Sequence, residues 1–127
     1  MSNKFNSVKD SGKRQEFNTG SKRDTCDNKP AYVLMSPIAL DRLGMHFRNG
    51  AVKYGERNWE LGQPISRYLD SALRHIMNYL EGKRDEDHLA AGMWNLHCAI
   101  HTEEMIDRGN LSKELNDLPN YLGNYKG

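Results

Sequence analysis

The stretch YLDSALRHIMNYLEGKRDEDHLAAGMWN, residues 68–95, decides the fold. Tyr68, Leu69, Ala72, Leu73, Ile76, Tyr79 and Leu80 recur at three- and four-residue spacing, which lays a broad apolar stripe along one helix running from about Ser66 to Leu80. Gly82 ends it, because glycine takes the left-handed C-terminal conformation at no steric cost. GKRDED then makes a short turn, and Asp85 or Asp87 caps the next helix, which continues to about Asp107 with Gly109 as its stop. So short a turn between long helices makes them antiparallel neighbours.

Working outward, SPIALDRLGMHFRNGAVKYG predicts a further helix before these two. Ser36 is its N-cap, Pro37 its first helical residue and Gly55 its stop, with Gly44 and Gly50 weakening the interior. The loop GERNWELGQP follows, and its Trp59 is expected to be pinned against the body. On the N-terminal side, residues 1–16 are polar and aperiodic and read as a disordered basic tail. Residues 17–119 read as one domain, beginning with an extended basic arm that includes Phe17, Pro30, Tyr32, Val33, Leu34 and Met35, and residues 120–127 read as an irregular C-terminal tail after a short helical turn. The expected fold class is all-α, three long helices with an extended basic N-terminal arm.

Composition narrows the function. Of 127 residues, 18 are Lys or Arg and 17 are Asp or Glu, a formal charge of +1 that exerts no global pull on polymeric nucleic acid or membrane. The asymmetry is local, since residues 1–30 carry a net positive charge and the rest a net negative one. Two cysteines, Cys26 and Cys98, make neither a CxxC nor a disulfide framework, so a reducing cytoplasm is the expected location. The hydrophobic fraction of 37% predicts a thin core for a lone chain, which a homo-oligomer would thicken.

The polar residues set into the helices define the candidate site. Arg67, Asp70, Ser71, Arg74, Asn78 and Glu81 succeed one another on one face of the second helix, a spacing equally that of a solvated face with Asp70 and Arg74 as an ion pair. His88 and Asn95 share a face of the third helix with Ala91 and Gly92 between them, which leaves room for a pocket beside His75 or, on the bland reading, for close helix packing. His97, His101 and Glu104 have a spacing that formally permits a metal, or simply faces another surface. Neither a P-loop nor a GxGxxG cradle occurs. The bases Lys22, Arg23, Lys29, Lys53, Arg57, Arg67 and Arg74, with Tyr54, Trp59 and Tyr68 able to stack, suit a phosphorylated nucleotide or are ordinary surface arginines and packed aromatics.

The segments GAVKYGERNW, SRYLDSALRH and DEDHLAAGMWN, within a match over about residues 17–119, resemble the phage-encoded dATP/dGTP diphosphohydrolase N-terminal domain family, grouped with the MazG-like all-α pyrophosphatases. The resemblance implies hydrolysis of purine deoxynucleoside triphosphates to monophosphate and pyrophosphate with Mg²⁺, in the cytoplasm of a phage-infected bacterial cell. It assigns Asp70, Glu81, Asp85 and Asp87 as metal ligands, with Asp70, His75 and His88 as the catalytic set. Lys22, Arg23, Lys29, Lys53, Tyr54, Arg57, Asn58, Trp59, Arg67, Arg74 and Asn95 would bind substrate. The pattern departs from that grouping in one respect: the second helix has no ExxE, and the ExxD of Glu104 and Asp107 lies at the far end of the third. The alternative is a non-catalytic phage protein that sequesters a nucleotide, such as a cyclic signalling nucleotide of host anti-phage defence.

Overall fold

The computed structural model describes residues 8–123. It divides into two compact units, one ending at Met35 and one beginning at Ser36. In the first, β1 (Arg14–Glu16) pairs antiparallel with β2 (Lys22–Asp24). Arg14 stands opposite Asp24 and Glu16 opposite Lys22, so charge complementarity rather than apolar alternation supports the ladder. The hairpin closes where the Phe17 N–H donates to the Ser21 carbonyl at 2.8 Å, with Gly20 in the left-handed region at φ 89°. Asp24 accepts from the backbone N–H and hydroxyl of Ser11 and lies 3.4 Å from Lys29 Nζ.

This hairpin corrects the strand-free reading: all-α is an approximation that holds from Ser36 onward. Of the segment expected to be disordered, residues 1–7 lie outside the described residues, while Arg14–Glu16 is a strand. Residues 124–127 of the expected C-terminal tail also lie outside the described residues. In the expected extended arm, Tyr32–Leu34 forms a 3₁₀ turn.

The second unit is helical. α1 (Pro37–Tyr54) starts where the Ser36 hydroxyl accepts from the Ala39 N–H at 3.1 Å and stops at Gly55, whose φ is 95°. α2 (Ile65–Leu80) leads through a short turn to α3 (His88–Asp107). His75 sits beside His88, Ala72 beside Gly92, and Tyr68 beside Cys98, so numbers fall along one helix as they rise along the other and the pair is antiparallel. Asp87 caps α3, its carboxylate accepting from the Ala90 N–H at 3.1 Å. The same carboxylate receives both Nε and Nη2 of Arg42, at 2.8 and 2.5 Å, which fixes α1 to the start of α3.

α3 is the central helix, packed against both α1 and α2. Ala90, Ala91, Gly92, Cys98, Ala99 and Thr102 on it are buried, whereas α1 has no fully buried residue. Ile65, Tyr68, Cys98 and Ala99 form the core, with Trp59, Leu69, Trp94 and Ile106 packed around it. Burial pushes the Cys98 thiol up to about 12, so it is an inert packing group. No helix among the described residues is long and apolar enough to cross a membrane.

The N-terminus of α2 is capped from far along the chain. Asp117 accepts from the Ser66 N–H at 3.0 Å and from its hydroxyl, carrying the C-terminal segment back over the loop before α2. A 3₁₀ turn at Lys113–Leu115 places Leu111 and Leu115 on Gly62. Gly62 has φ 93° and ψ 142°, and a Cβ there would come within 2.9 Å of Leu115 Cδ1. Gly62→Ala is therefore expected to destabilise the fold by about 1–3 kcal/mol from backbone strain alone, with the leucine contact adding to it, as read from denaturant unfolding.

Arg42 holds the Asp87 carboxyl at about 2, below its ordinary 3.8. A depressed carboxylate contributes stability above its unfolded pKa and loses it as pH falls through the folded value. Asp87→Asn keeps a competent cap but removes the charge. The wild-type advantage over this variant should be full at neutral pH and shrink as pH falls from ~5 toward ~2, measured by urea unfolding across that range.

Candidate functional site

A cleft of about 700 Å³ opens between the C-terminal half of α1, the loop that follows it and the first half of α2, with Trp94 and Asn95 of α3 as its floor. That volume suits a small-molecule ligand. Local sequence shapes each wall. Gly44, Ala51 and Gly55 recur at helical spacing with Arg48, and a Cβ on Gly44 or Gly50 would meet nothing within 4 Å. The α1 wall is thus thin where the glycines lie, which gives them a use beyond weakening the helix.

The loop is held by its tryptophan. Gly55 ends α1 and Arg57 takes the left-handed conformation at φ 59°, so the chain folds back into a 3₁₀ turn, Asn58–Leu61. Trp59 of that turn meets Phe47, His97 and His101 edge-on, at ring-centroid distances of 5.8, 5.0 and 4.8 Å. The Tyr68 hydroxyl donates to the Trp59 carbonyl at 3.4 Å. His97 and His101, a formal metal pair by spacing, therefore serve as the bed of the tryptophan, and Glu104 lies 3.4 Å from Arg108 instead. Burial, reinforced by His101, lowers the His97 pKa and keeps that ring neutral.

The cleft gathers Tyr54, Arg57, Asn58, Trp59, Arg67, Arg74 and Asn95 of the residues expected to bind substrate. Lys53 does not line it; its ammonium lies 5.1 Å from the Tyr54 ring centroid. Lys22, Arg23 and Lys29 belong to the hairpin unit. Sequence reasoning missed Arg48 and Glu56, which line the same cleft. Arg48 could have been found, since it follows Gly44 by four residues on the helix face that the glycines open. Arg57 pairs with Glu60 at 2.5 Å and Arg74 with Asp70 at 2.8 Å, whereas Arg48 and Arg67 have no ion pair among the described residues.

Asn95 is the buried polar group of the floor, 5% exposed. Its Nδ2 donates to the Ala91 carbonyl at 2.9 Å, which fixes the amide and leaves Oδ1 as an acceptor with no protein partner among the described residues.

The acids expected to bind metal are not brought together. Asp70 faces Arg74, Glu81 lies 3.2 Å from Lys83, Asp85 lies 2.8 Å from His88, and Asp87 faces Arg42. None of them lines the cleft. Mg²⁺ demands several oxygens in near-octahedral array, and four carboxylates each committed to a different cation or imidazole do not fit one such cage. His75 and His88 stand together, with their Nδ1 atoms 3.0 Å apart, but they too lie outside the residues that line the cleft.

Comparison with curated proteins finds no match, and comparison with solved structures finds none either. Comparison with family models matches residues 19–110 to dATP/dGTP diphosphohydrolase, N-terminal. That match spans most of the chain, from the hairpin turn to the end of α3, and the chain belongs to the dATP/dGTP diphosphohydrolase, N-terminal family.

Proposed function

We propose that the cleft binds a purine deoxynucleoside triphosphate. The observation that carries the reading is the charge of the lining, in which Arg48, Arg57, Arg67 and Arg74 stand with Glu56 as the one lining acid, Arg57 and Arg74 being paired with Glu60 and Asp70 outside it. Guanidinium forks match phosphate oxygens in pairs, and Arg48 and Arg67 can offer theirs without breaking an existing ion pair. Tyr54 and Trp59 supply aromatic surface for a base, and the Asn95 Oδ1 suits an N–H on a purine edge.

The family description points to cleavage of dATP or dGTP, which on this reading gives the monophosphate and pyrophosphate. Glu56 is the one carboxylate among the residues that line the cleft, and it would be the group there able to hold or orient a water against the phosphates. A second reading is capture of an intact nucleotide, linear or cyclic. It is favoured by the dispersal of Asp70, Glu81, Asp85 and Asp87 among separate partners. Assembly of several copies belongs to either reading: Leu73, Met77 and Leu80 on α2 and Met93, Leu96 and Ile100 on α3 are exposed, which supports burial of these faces against another chain. Light scattering that returned the mass of a single chain would remove this part of the proposal.

The decisive test incubates the protein with dATP, dGTP, ribonucleotides and cyclic nucleotides, with Mg²⁺ or EDTA, and separates free from protein-bound species by chromatography. Monophosphate and pyrophosphate formed with Mg²⁺ would establish hydrolysis. An intact nucleotide recovered on denaturing the protein would establish capture, and neither binding nor turnover would overturn the cleft reading. Arg67→Ala removes charge-assisted bonds to phosphate and is expected to weaken nucleotide binding about 10- to 100-fold, measured by calorimetry, with the thermal unfolding midpoint little changed.

A further inference from the structure

The junction of α2 and α3 holds a second group of donors that the cleft does not use. His75 Nδ1 lies 3.0 Å from His88 Nδ1 and 3.5 Å from Glu86 Oε1. One ligand atom from each of these three residues lies within 4.8 Å of the other two. They come from different parts of the chain: His75 from within α2, Glu86 from the turn and His88 from the first residue of α3. His88 is buried, His75 partly so, and Glu86 reaches the group from the solvent side.

Asp85 sets the chemistry of the buried ring. Its Oδ1 lies 2.8 Å from His88 Nε2, and an ionised carboxylate there requires a proton on that nitrogen. In the neutral ring Nδ1 then carries the lone pair, which faces His75 Nδ1 at 3.0 Å. A carboxylate behind an imidazole is the arrangement that fixes the tautomer and raises the basicity of a metal-ligating histidine. Two donors bound about 2.0–2.1 Å from a tetrahedral ion stand about 3.3–3.4 Å apart; the two separations from His75, 3.0 and 3.5 Å, fall on either side of that distance, and His88 and Glu86 lie within 4.8 Å of each other.

We propose that His75, Glu86 and His88 form a binding site for a divalent transition-metal ion of the zinc class, with Asp85 as the positioning residue for His88. Two imidazole nitrogens and one carboxylate are the donor set of such an ion and not of Mg²⁺, which prefers oxygen throughout. Three protein ligands leave one position for water or an incoming ligand. The ion would tie α2, the turn and α3 together at the end of the helix pair. The site is independent of the nucleotide reading, and no nucleotide is needed to test it.

The test uses the whole chain, stripped with EDTA and titrated with Zn²⁺ by calorimetry and with Co²⁺ by visible absorption. One ion per chain is expected, with intense Co²⁺ ligand-field bands of a low-coordinate site that Zn²⁺ abolishes. Glu86→Gln and His75→Asn alter side chains that are not fully buried, and both should abolish stoichiometric binding while circular dichroism remains unchanged. Asp85→Asn is expected to weaken Zn²⁺ about 10- to 100-fold while leaving the stoichiometry at one. Cys26→Ser should bind as wild type does. Absence of stoichiometric binding, or wild-type affinity in both Glu86→Gln and His75→Asn, would overturn the proposal and leave the two histidines as a hydrogen-bonded pair.

Discussion

The wedge of Trp59 between helices is the constraint on which the helical unit depends. One indole meets Phe47 of α1 and both His97 and His101 of α3, and its own carbonyl receives the hydroxyl of Tyr68 on α2. A loop that would otherwise be free to move is thereby held by three helices at once. This matters because the core proper is small: Tyr68, Cys98 and Thr102 are the largest side chains that are fully buried. Trp59 is itself only partly buried, so it contributes a fraction of the few kcal/mol that full burial of such a ring would give, in a domain whose net stability is only ~5–15 kcal/mol. The cleft takes its shape from the same contact, since the loop that Trp59 anchors is one wall and Trp94, which also meets Phe47, is part of the floor.

What could be read from the sequence was local. Ser36, Pro37 and Gly55 bound α1, and Asp87 caps α3, because capping depends on residues within a few positions of the helix end. The stripe from Tyr68 to Leu80 and the short turn after it sufficed for the antiparallel pair. Trp59 was legible as a pinned residue, though not the imidazoles that pin it. The hairpin escaped because Arg14–Glu16 and Lys22–Asp24 have no apolar alternation, and their pairing rests on cross-strand charges and a glycine turn. The cap of α2 escaped because its acceptor, Asp117, is 51 residues away from Ser66. Within the site, residues on α2 at helical spacing from Arg67 could be grouped in advance. Arg48, four residues after Gly44 on α1, could have been added by the same spacing, had the glycines been read as opening that face rather than as weakening the helix.

The distribution of charge separates two kinds of polar residue that spacing alone leaves mixed. The acids around the α2–α3 turn are satisfied locally: Asp85 by a hydrogen bond with His88 and Asp87 by Arg42, each contact holding a carboxyl below its ordinary range. These groups build the helix junction. The cleft is the reverse case, a concave surface on which guanidinium groups outnumber carboxylates and two of them have no ion pair among the described residues. A low-dielectric concavity focuses such a field, which raises the local concentration of a polyanion and costs stability until one arrives. Ordinary surface arginines would gain nothing from the glycines that open α1 beside them.

The helix pair also couples the two ends of this arrangement. Arg74 of the cleft precedes His75 of the junction by a single residue on α2, and on α3 the cleft residue Asn95 stands two turns beyond His88. Two turns of helix span about 10 Å, and helices resist bending over so short a length. Any change that shifts α2 along α3 at the histidine pair must therefore also move Arg74 relative to Asn95. The small residues between them, Ala72, Ala91 and Gly92, allow the close approach that transmits such a shift. A group that fixes the junction would fix the cleft floor with it, so the residues that order the turn bear on the geometry of the cleft without lining it.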